Sequence, residues 1–413
     1  MAALASSATA VISRATVIGV VALTTLAQIG TVMGIAVFPV IAPRLAAEMG
    51  VEPSFIGYQI SLIYGVAALS SPFLTWVVTR FGACRAMQAG LLFSVMALAL
   101  ALFSGFAPLI AASVLLGAAM SVMTPAGAHV LFRYSPPKRR NLIFSIKQTC
   151  VPAGWMIMAL LAPPVTLLWG WKWAVVLVMI FALLMMGALQ CVRARWDDDR
   201  TPQAGSARQQ AREGMRLLWR YAELRWLSVA SMFMSGVQLC VSSFAVTLLV
   251  QEAGYGLVAA GVMLSVAQGA GVAGRIAWGW LADRFGNCRT LLIRLSAVMV
   301  ACCVLMAWMT PQWPPSLVAL LFLAFGASAI GWNGLFLAEV ARLSPPGRVS
   351  VATSGAMVWN FAGILIGPAL FAVIYRCTGS YAHTFGLLSS FALAGLMFLG
   401  MAAAAARRAA KTA

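Results

Sequence analysis

The sequence predicts an all-α integral membrane protein, with twelve transmembrane helices arranged as two pseudo-symmetric six-helix bundles. Three observations carry this. The chain has 413 residues, 62% hydrophobic and only 9% charged, far too little polar surface for a soluble protein of that length. Apolar runs of about 20 residues recur from end to end, each long enough to cross a ~30 Å hydrocarbon core as a helix. Finally, the second half of the chain repeats landmarks of the first.

The runs lie near 16–41, 55–78, 86–105, 108–132, 141–163 and 168–192, then 226–250, 256–282, 288–310, 314–340, 350–374 and 383–405. Helices satisfy their own backbone hydrogen bonds inside a bilayer, and the short alternating strands of a membrane barrel are absent from the sequence. Arg80-Phe-Gly-Ala-Cys-Arg85 after the second run reappears as Arg284-Phe-Gly-Asn-Cys-Arg289 after the eighth, with Trp76 and Trp280 in register. Ser135-Pro-Pro-Lys-Arg139 reappears as Ser344-Pro-Pro-Gly-Arg348, and Gln28 pairs with Gln238. The three displacements are nearly equal and fall in one order, which marks a duplication. The expected division is 1–192 for one bundle, 193–225 for a linker and 226–413 for the other.

The linker starts as loop at Asp197-Asp-Asp-Arg-Thr-Pro202 and continues as a basic amphipathic stretch around Gln209–Arg220. Two readings of it stand. Leu217, Leu218, Trp219 and Tyr221 enter the headgroup region while Arg212, Arg216 and Arg220 meet anionic lipid, or the segment is a plain tether.

The +18 net charge invites a nucleic-acid partner, but its distribution argues against one. Nearly all basic residues fall at the termini or in the even-numbered loops. Arg44, Lys172 and Arg376 lie on the other side, and Lys147 and Arg275 within spans. The positive-inside rule places both termini in the cytoplasm of a bacterial inner membrane. Arg14 leads straight into a full-length span, so no cleaved signal peptide is expected. The eight cysteines lack metal-ligand spacing. No metal or cofactor is expected, no phosphate loop suggests ATP drive, and two histidines with few intramembrane acids leave no catalytic constellation.

The segment Gly279-Trp-Leu-Ala-Asp283-Arg284-Phe-Gly286-Asn-Cys-Arg289 is similar to the signature loop of the major facilitator superfamily. The chain resembles that family over almost its whole length. The first half holds a decayed copy, with Thr75 and Thr79 in place of the Gly and Asp. Ser113, ahead of Gly117, stands where the family has a fourth-helix arginine, and Gly363-Ile-Leu-Ile-Gly367-Pro368 is similar to its glycine-proline helix motif. Ser145-Ile-Lys147-Gln148-Thr with Pro152, and Gly331-Trp332-Asn333-Gly334 running to Glu339, resemble bacterial organic-anion, monocarboxylate and cyanate porters. The resemblance implies two bundles around a central cavity that rock to expose one ligand site to each side in turn. It also places the fifth and eighth helices opposite each other, and the first and seventh along the cavity.

Lys147 and Arg275 are the candidate substrate-binding cations. Each lies ~9–12 Å inside the cytoplasmic face at 1.5 Å per helical residue. Each costs about 3 kcal/mol near a helix centre, with no acid close in sequence to offset it. A small organic anion, a mono- or dicarboxylate, would supply the countercharge. Against this, Lys147 can snorkel, and Arg275 can pair with helix carbonyls or a distant acid. Gln28 and Gln238 are the first candidates for ligand hydrogen bonds, followed by Tyr64, Gln148, Asn333 and Asn360, whereas Gln59 and Gln268 suit interhelical bonding equally. Trp332 and Trp359, with Trp155, are candidate contacts to a flat substrate. Trp169, Trp171, Trp173, Trp308 and Trp313 suit an interfacial belt, and His129 reads as a packed neutral side chain or a proton relay.

Asp283, Arg284, Glu339, Arg342 and Arg348, with Arg289, Gly279 and Gly286, form the candidate gate. They are expected to tie the eighth, tenth and eleventh helices together in one conformation. Arg80 and Arg85 mark its weaker or differently built counterpart. Pro152, Gly154, Gly367 and Pro368 are candidate bends. The expected function is secondary transport of the anion by a monomer, through proton symport or anion exchange with a counter-anion. Export of hydrophobic compounds and a non-transporting sensor are the alternatives.

Overall fold

A computed structural model describes residues 14–103, 105–136, 140–198, 207–285, 288–345 and 348–412. Gly286 and the side chains of Asp283, Arg212, Thr75, Trp76 and Thr79 lie outside the described residues. The first bundle runs through α1 (Arg14–Val40), the short α2 (Ala42–Met49), a 3₁₀ turn at Pro53–Phe55, α3 (Ile56–Phe81), α4 (Ala83–Ala101) and α5 (Phe106–Tyr134). It continues through α6 (Arg140–Gln148), α7 (Cys150–Trp169) and α8 (Trp171–Trp196). Helix α9 (Ala207–Arg220) joins it to α10 (Ala222–Gln251), α11 (Leu257–Phe285), α12 (Cys288–Met306), α13 (Pro315–Ala329), α14 (Asn333–Leu343), α15 (Val349–Thr378) and α16 (Tyr381–Thr412).

The predicted spans are present as helices, but two are interrupted. The fifth is split into α6 and α7 at Thr149, and the tenth into α13 and α14 at 330–332. The remaining apolar runs are continuous, so the chain crosses back and forth between a terminal face, where α1 begins, and an opposite face. Links within a bundle are tight. Gly82 alone separates α3 from α4 with φ 100°, and Gly170 alone separates α7 from α8 with φ 91°, a region glycine enters without a Cβ penalty.

Enclosure follows helix order. The apolar windows of α1 and α10 are 72% and 83% buried, those of α8 and α16 only 22% and 28%. Gln28 and Gln238 therefore lie on the two most enclosed helices. The halves meet where α3 packs on α15, α7 on α11 and α1 on α10. Small residues let these backbones approach: a side chain at Gly57 would strike Pro368, Phe244 and Ala372, and one at Gly261 would strike Ala159 and Pro163. Of the four candidate bends, Gly154, Gly367 and Pro368 lie within the helices α7 and α15. Gly154 makes room for Val32 of α1, Gly367 for Gly236 of α10, and Pro368 lies inside a continuous α15. Of the four, Pro152 alone adjoins an interruption.

Helix α9 departs from the lipid-facing expectation for its leucines. Leu217 and Leu218 are buried at 7% and 1% exposure, in a helix packed on α15, α10 and α3. Its apolar face is covered by protein because this stripe faces the bundle. Of the four apolar residues named for the headgroup region, Trp219 and the adjoining Tyr221 stay exposed.

Candidate functional site

The interruption at Thr149 follows from Pro152. Proline has no N–H, so the carbonyl four residues earlier, Gln148 O, has no helical donor. Thr149 folds back on the last turn, its N–H and Oγ1 both donating to Ile146 O at 3.1 and 2.6 Å. Gln148 O then accepts from Arg275 Nη1 across the boundary between halves, at 2.5 Å. The other interruption presents a second carbonyl, Ile330 O, which accepts Arg275 Nε at 3.1 Å and Asn333 Nδ2 at 3.4 Å. Arg275 thus joins α11 to two helix ends, each presenting the negative end of its peptide dipoles. This supplies part of its countercharge without any acid. A guanidinium has five N–H donors, so three remain.

Lys147 is placed differently. It is 3% exposed and forms no hydrogen bond or ion pair among the described residues, so it does not snorkel to the face. Its Cε and Nζ lie against Gly127 of α5, beside Thr24 of α1; a β-carbon at Gly127 would stand 3.5 Å from Cε. Sequence reasoning missed Gly127, the residue that makes room for the ammonium. The Cys150 thiol lies within electrostatic reach of both Lys147 and Arg275, so the two cations flank one interruption from opposite halves.

The other candidates separate into two groups. Gln238 Oε1 accepts from Trp332 Nε1 at 3.1 Å and Asn333 Nδ2 at 3.0 Å, so these residues brace the α13–α14 interruption. Trp332 is fully buried and Trp155 is 2% exposed. Neither presents surface to a ligand in this conformation. Gln28 donates to Thr124 Oγ1 at 3.3 Å while its buried Oε1 has no partner, and buried Asn360 Nδ2 is likewise unpartnered. These two keep hydrogen-bonding capacity to offer. Tyr64 is buried, and Trp359 is half-buried. Gln268 Nε2 bonds Ser242 at 3.0 Å, an interhelical tie. Two expectations are corrected. His129 is exposed rather than packed. Trp171 leaves the interfacial belt because it is buried and donates to Glu48 at 2.7 Å.

The gate network joins three of the expected residues, Glu339, Arg342 and Arg289, and adds Glu223. Buried Glu339 accepts Arg289 Nε at 3.0 Å and Arg342 Nε and Nη2 at 2.8 and 2.6 Å. Arg289 reaches on to Glu223 at 3.3 Å. Among the described residues the helices tied are therefore the seventh, ninth and tenth, α10, α12 and α14, while the Asp283 side chain of the eighth lies outside the described residues. Arg284 is exposed over Trp280, Arg348 is exposed at the start of α15, and Gly279 meets no neighbour. The first half builds its tie from linker acids. Buried Asp197 accepts the backbone N–H of Cys84 at 2.7 Å and of Arg85 at 3.2 Å, capping α4. Arg80 lies over the Phe81 ring. Replacing Asp197 with alanine removes this cap and is expected to cost about 1–2 kcal/mol, read as a lowered thermal midpoint.

Asp198 pairs with Arg133 beside it. The Arg133 hydrogen bond holds the Asp198 carboxyl below the ordinary range, with charge attraction from Arg133 adding to it. A depressed carboxyl contributes stability above its unfolded pKa and loses it as pH falls through the folded one. The difference between parent and Asp198→Asn, slight at neutral pH, is therefore expected to shrink as pH falls below about 4 and to vanish once pH lies beneath the depressed folded value.

The comparisons agree with this architecture. A family model described as Major Facilitator Superfamily matches residues 24–368. An uncharacterized MFS-type transporter of Mycobacterium tuberculosis strain CDC 1551 is 24% identical over 285 residues, 68% of this chain and 61% of that relative's length. Among solved structures, a POT family transporter in complex with 5-aminolevulinic acid superposes with a TM-score of 0.76 at 12% identity, covering 94% of this chain and 96% of that one. A bacterial homolog of the human lysosomal transporter Spinster, inward-facing and unoccupied, gives 0.67 at 17% identity, covering 95% and 96%. At such identities these two establish the fold alone. With the family match spanning most of the sequence, and the interrupted helices and duplicated loops accounted for, the chain belongs to the Major Facilitator Superfamily.

Proposed function

We propose that the protein is a secondary transporter of a small organic anion, a mono- or dicarboxylate, working by alternating access in a bacterial inner membrane with both termini cytoplasmic. The carrying observation is Lys147, a buried ammonium without an acid partner among the described residues. Such a charge costs several kcal/mol unless something compensates it, and a carboxylate does so. The anion would sit between Lys147 and the spare donors of Arg275, with Gln28 and Asn360 as neutral partners. Drawing Arg275 toward the anion weakens its bonds to Gln148 O and Ile330 O, so occupancy loosens α11 from α6. That couples binding to movement between the bundles (1–192 and 226–413). The buried acids Glu339 and Asp197 are both held by partners, which favours anion exchange over proton symport. The protein would act as a monomer.

A thermal-shift screen of purified protein against organic anions tests this reading. Carboxylates should raise the melting temperature of the parent and leave Lys147→Ala unmoved. Equal shifts in both proteins would remove Lys147 from the site. Shifts only with hydrophobic compounds would favour an exporter.

A further inference from the structure

Beside the gate network, on the terminal face, lies an open cavity of about 420 Å³ between the end of α9, the start of α10, the end of α14 and α16. That volume falls within the range of small-molecule sites. Arg220, Tyr221, Glu223, Arg342, Leu343 and Ala405 line it. Arg220 is exposed and makes no hydrogen bond or ion pair among the described residues. Arg342 gives Nε and Nη2 to Glu339, which leaves the N–H groups of Nη1, and its side chain is 57% exposed. Both arginines thus offer accessible donors at the cavity wall. The charges around it do not balance. Three guanidinium groups, Arg220, Arg289 and Arg342, stand beside two carboxylates, Glu223 and Glu339. Arg225, over the Trp219 ring at 5.5 Å, adds to the positive side.

We propose that this cavity binds a phosphate ester, with its phosphate oxygens on Arg220 and Arg342 and its organic part over Leu343 and Ala405. A planar guanidinium matches two phosphate oxygens at once, and the anion supplies the missing negative charge. A phospholipid headgroup and a free phosphate ester share this chemistry. The exposed Trp219 next to Arg220 is a side chain suited to a membrane interface, which favours the headgroup. An occupant would tie the linker helix α9 to α14, and through Glu339 to Arg289 of α12. It would therefore brace the gate network from outside, whatever anion Lys147 binds.

The test is calorimetric titration of the detergent-solubilised full chain with dihexanoyl phosphatidylglycerol and, separately, with glycerol 3-phosphate. The parent should bind saturably at one site. Saturation by the lipid alone supports a headgroup site, and saturation by glycerol 3-phosphate supports a site for free phosphate esters. Arg220→Gln removes a donor, while Ala405→Trp fills the space and keeps both arginines. Each should lower affinity at least about tenfold. Arg294→Gln, at an exposed arginine of α12 outside the cavity, removes the same charge and should leave affinity within about twofold of the parent. Absence of saturable binding of either compound would overturn the proposal, as would binding that survives Ala405→Trp. Equal losses in Arg220→Gln and Arg294→Gln would overturn it too, since they mean diffuse attraction to a basic face. Arg220 has no partner among the described residues to strand, so its variant should melt with the parent.

Discussion

Lys147→Ala is expected to bind organic anions about 10- to 100-fold more weakly than the parent while melting no lower. A hydrogen bond to a charged group is worth about 1.5–3 kcal/mol, and each 1.4 kcal/mol is about tenfold in affinity. Stability should move the other way, because alanine removes a buried charge that has no acid partner among the described residues. A lysine with a purely structural role would lose stability instead, so the opposed signs are diagnostic. Gly127 provides a second handle. An added β-carbon there meets Lys147 Cε at 3.5 Å, ordinary contact, so Gly127→Ala should be mild. Gly127→Leu occupies the space of the ammonium and should resemble Lys147→Ala in binding.

Glu339→Ala is expected to give the largest loss of stability, about 3 kcal/mol, because removing one member of a buried pair strands the other. Glu339 is 1% exposed and Arg289 13%, whereas the Arg342 side chain is 57% exposed. Arg342→Ala should therefore cost less than about 1 kcal/mol, despite its two short bonds. Thermal unfolding of the single variants and of Glu339→Ala/Arg289→Ala checks this. The double variant should be more stable than the sum of the single losses implies, since the stranded arginine is gone.

The same residues show what can be read from sequence. Membrane spans are legible because a bilayer demands long uninterrupted apolar runs, and the duplicated loops fix their pairing. Lys147 and Arg275 stand out because charge inside such a run is costly. The partners of Arg275 do not stand out: backbone carbonyls have no letter of their own, and Pro152, four residues after Gln148, is the sole trace of the freed one. Nothing comparable marks the interruption at 330–332 beyond Gly331 and Gly334. Glu339 was pairable with Arg342 because they are one helical turn apart, but Arg289 and Glu223 approach it from other helices. Asp197 read as loop because a helix cap shows only once the capped helix, α4, lies against it.

The central claim is that Lys147 and Arg275 bind an anion that the protein carries across the membrane. Counterflow in proteoliposomes tests it most directly: vesicles loaded with an unlabelled monocarboxylate are diluted into a trace of the labelled compound. The parent should accumulate label transiently above equilibrium, and Lys147→Ala and Arg275→Ala should not. Binding of the anion without any flux would mean a sensor, and full counterflow in both variants would contradict the account.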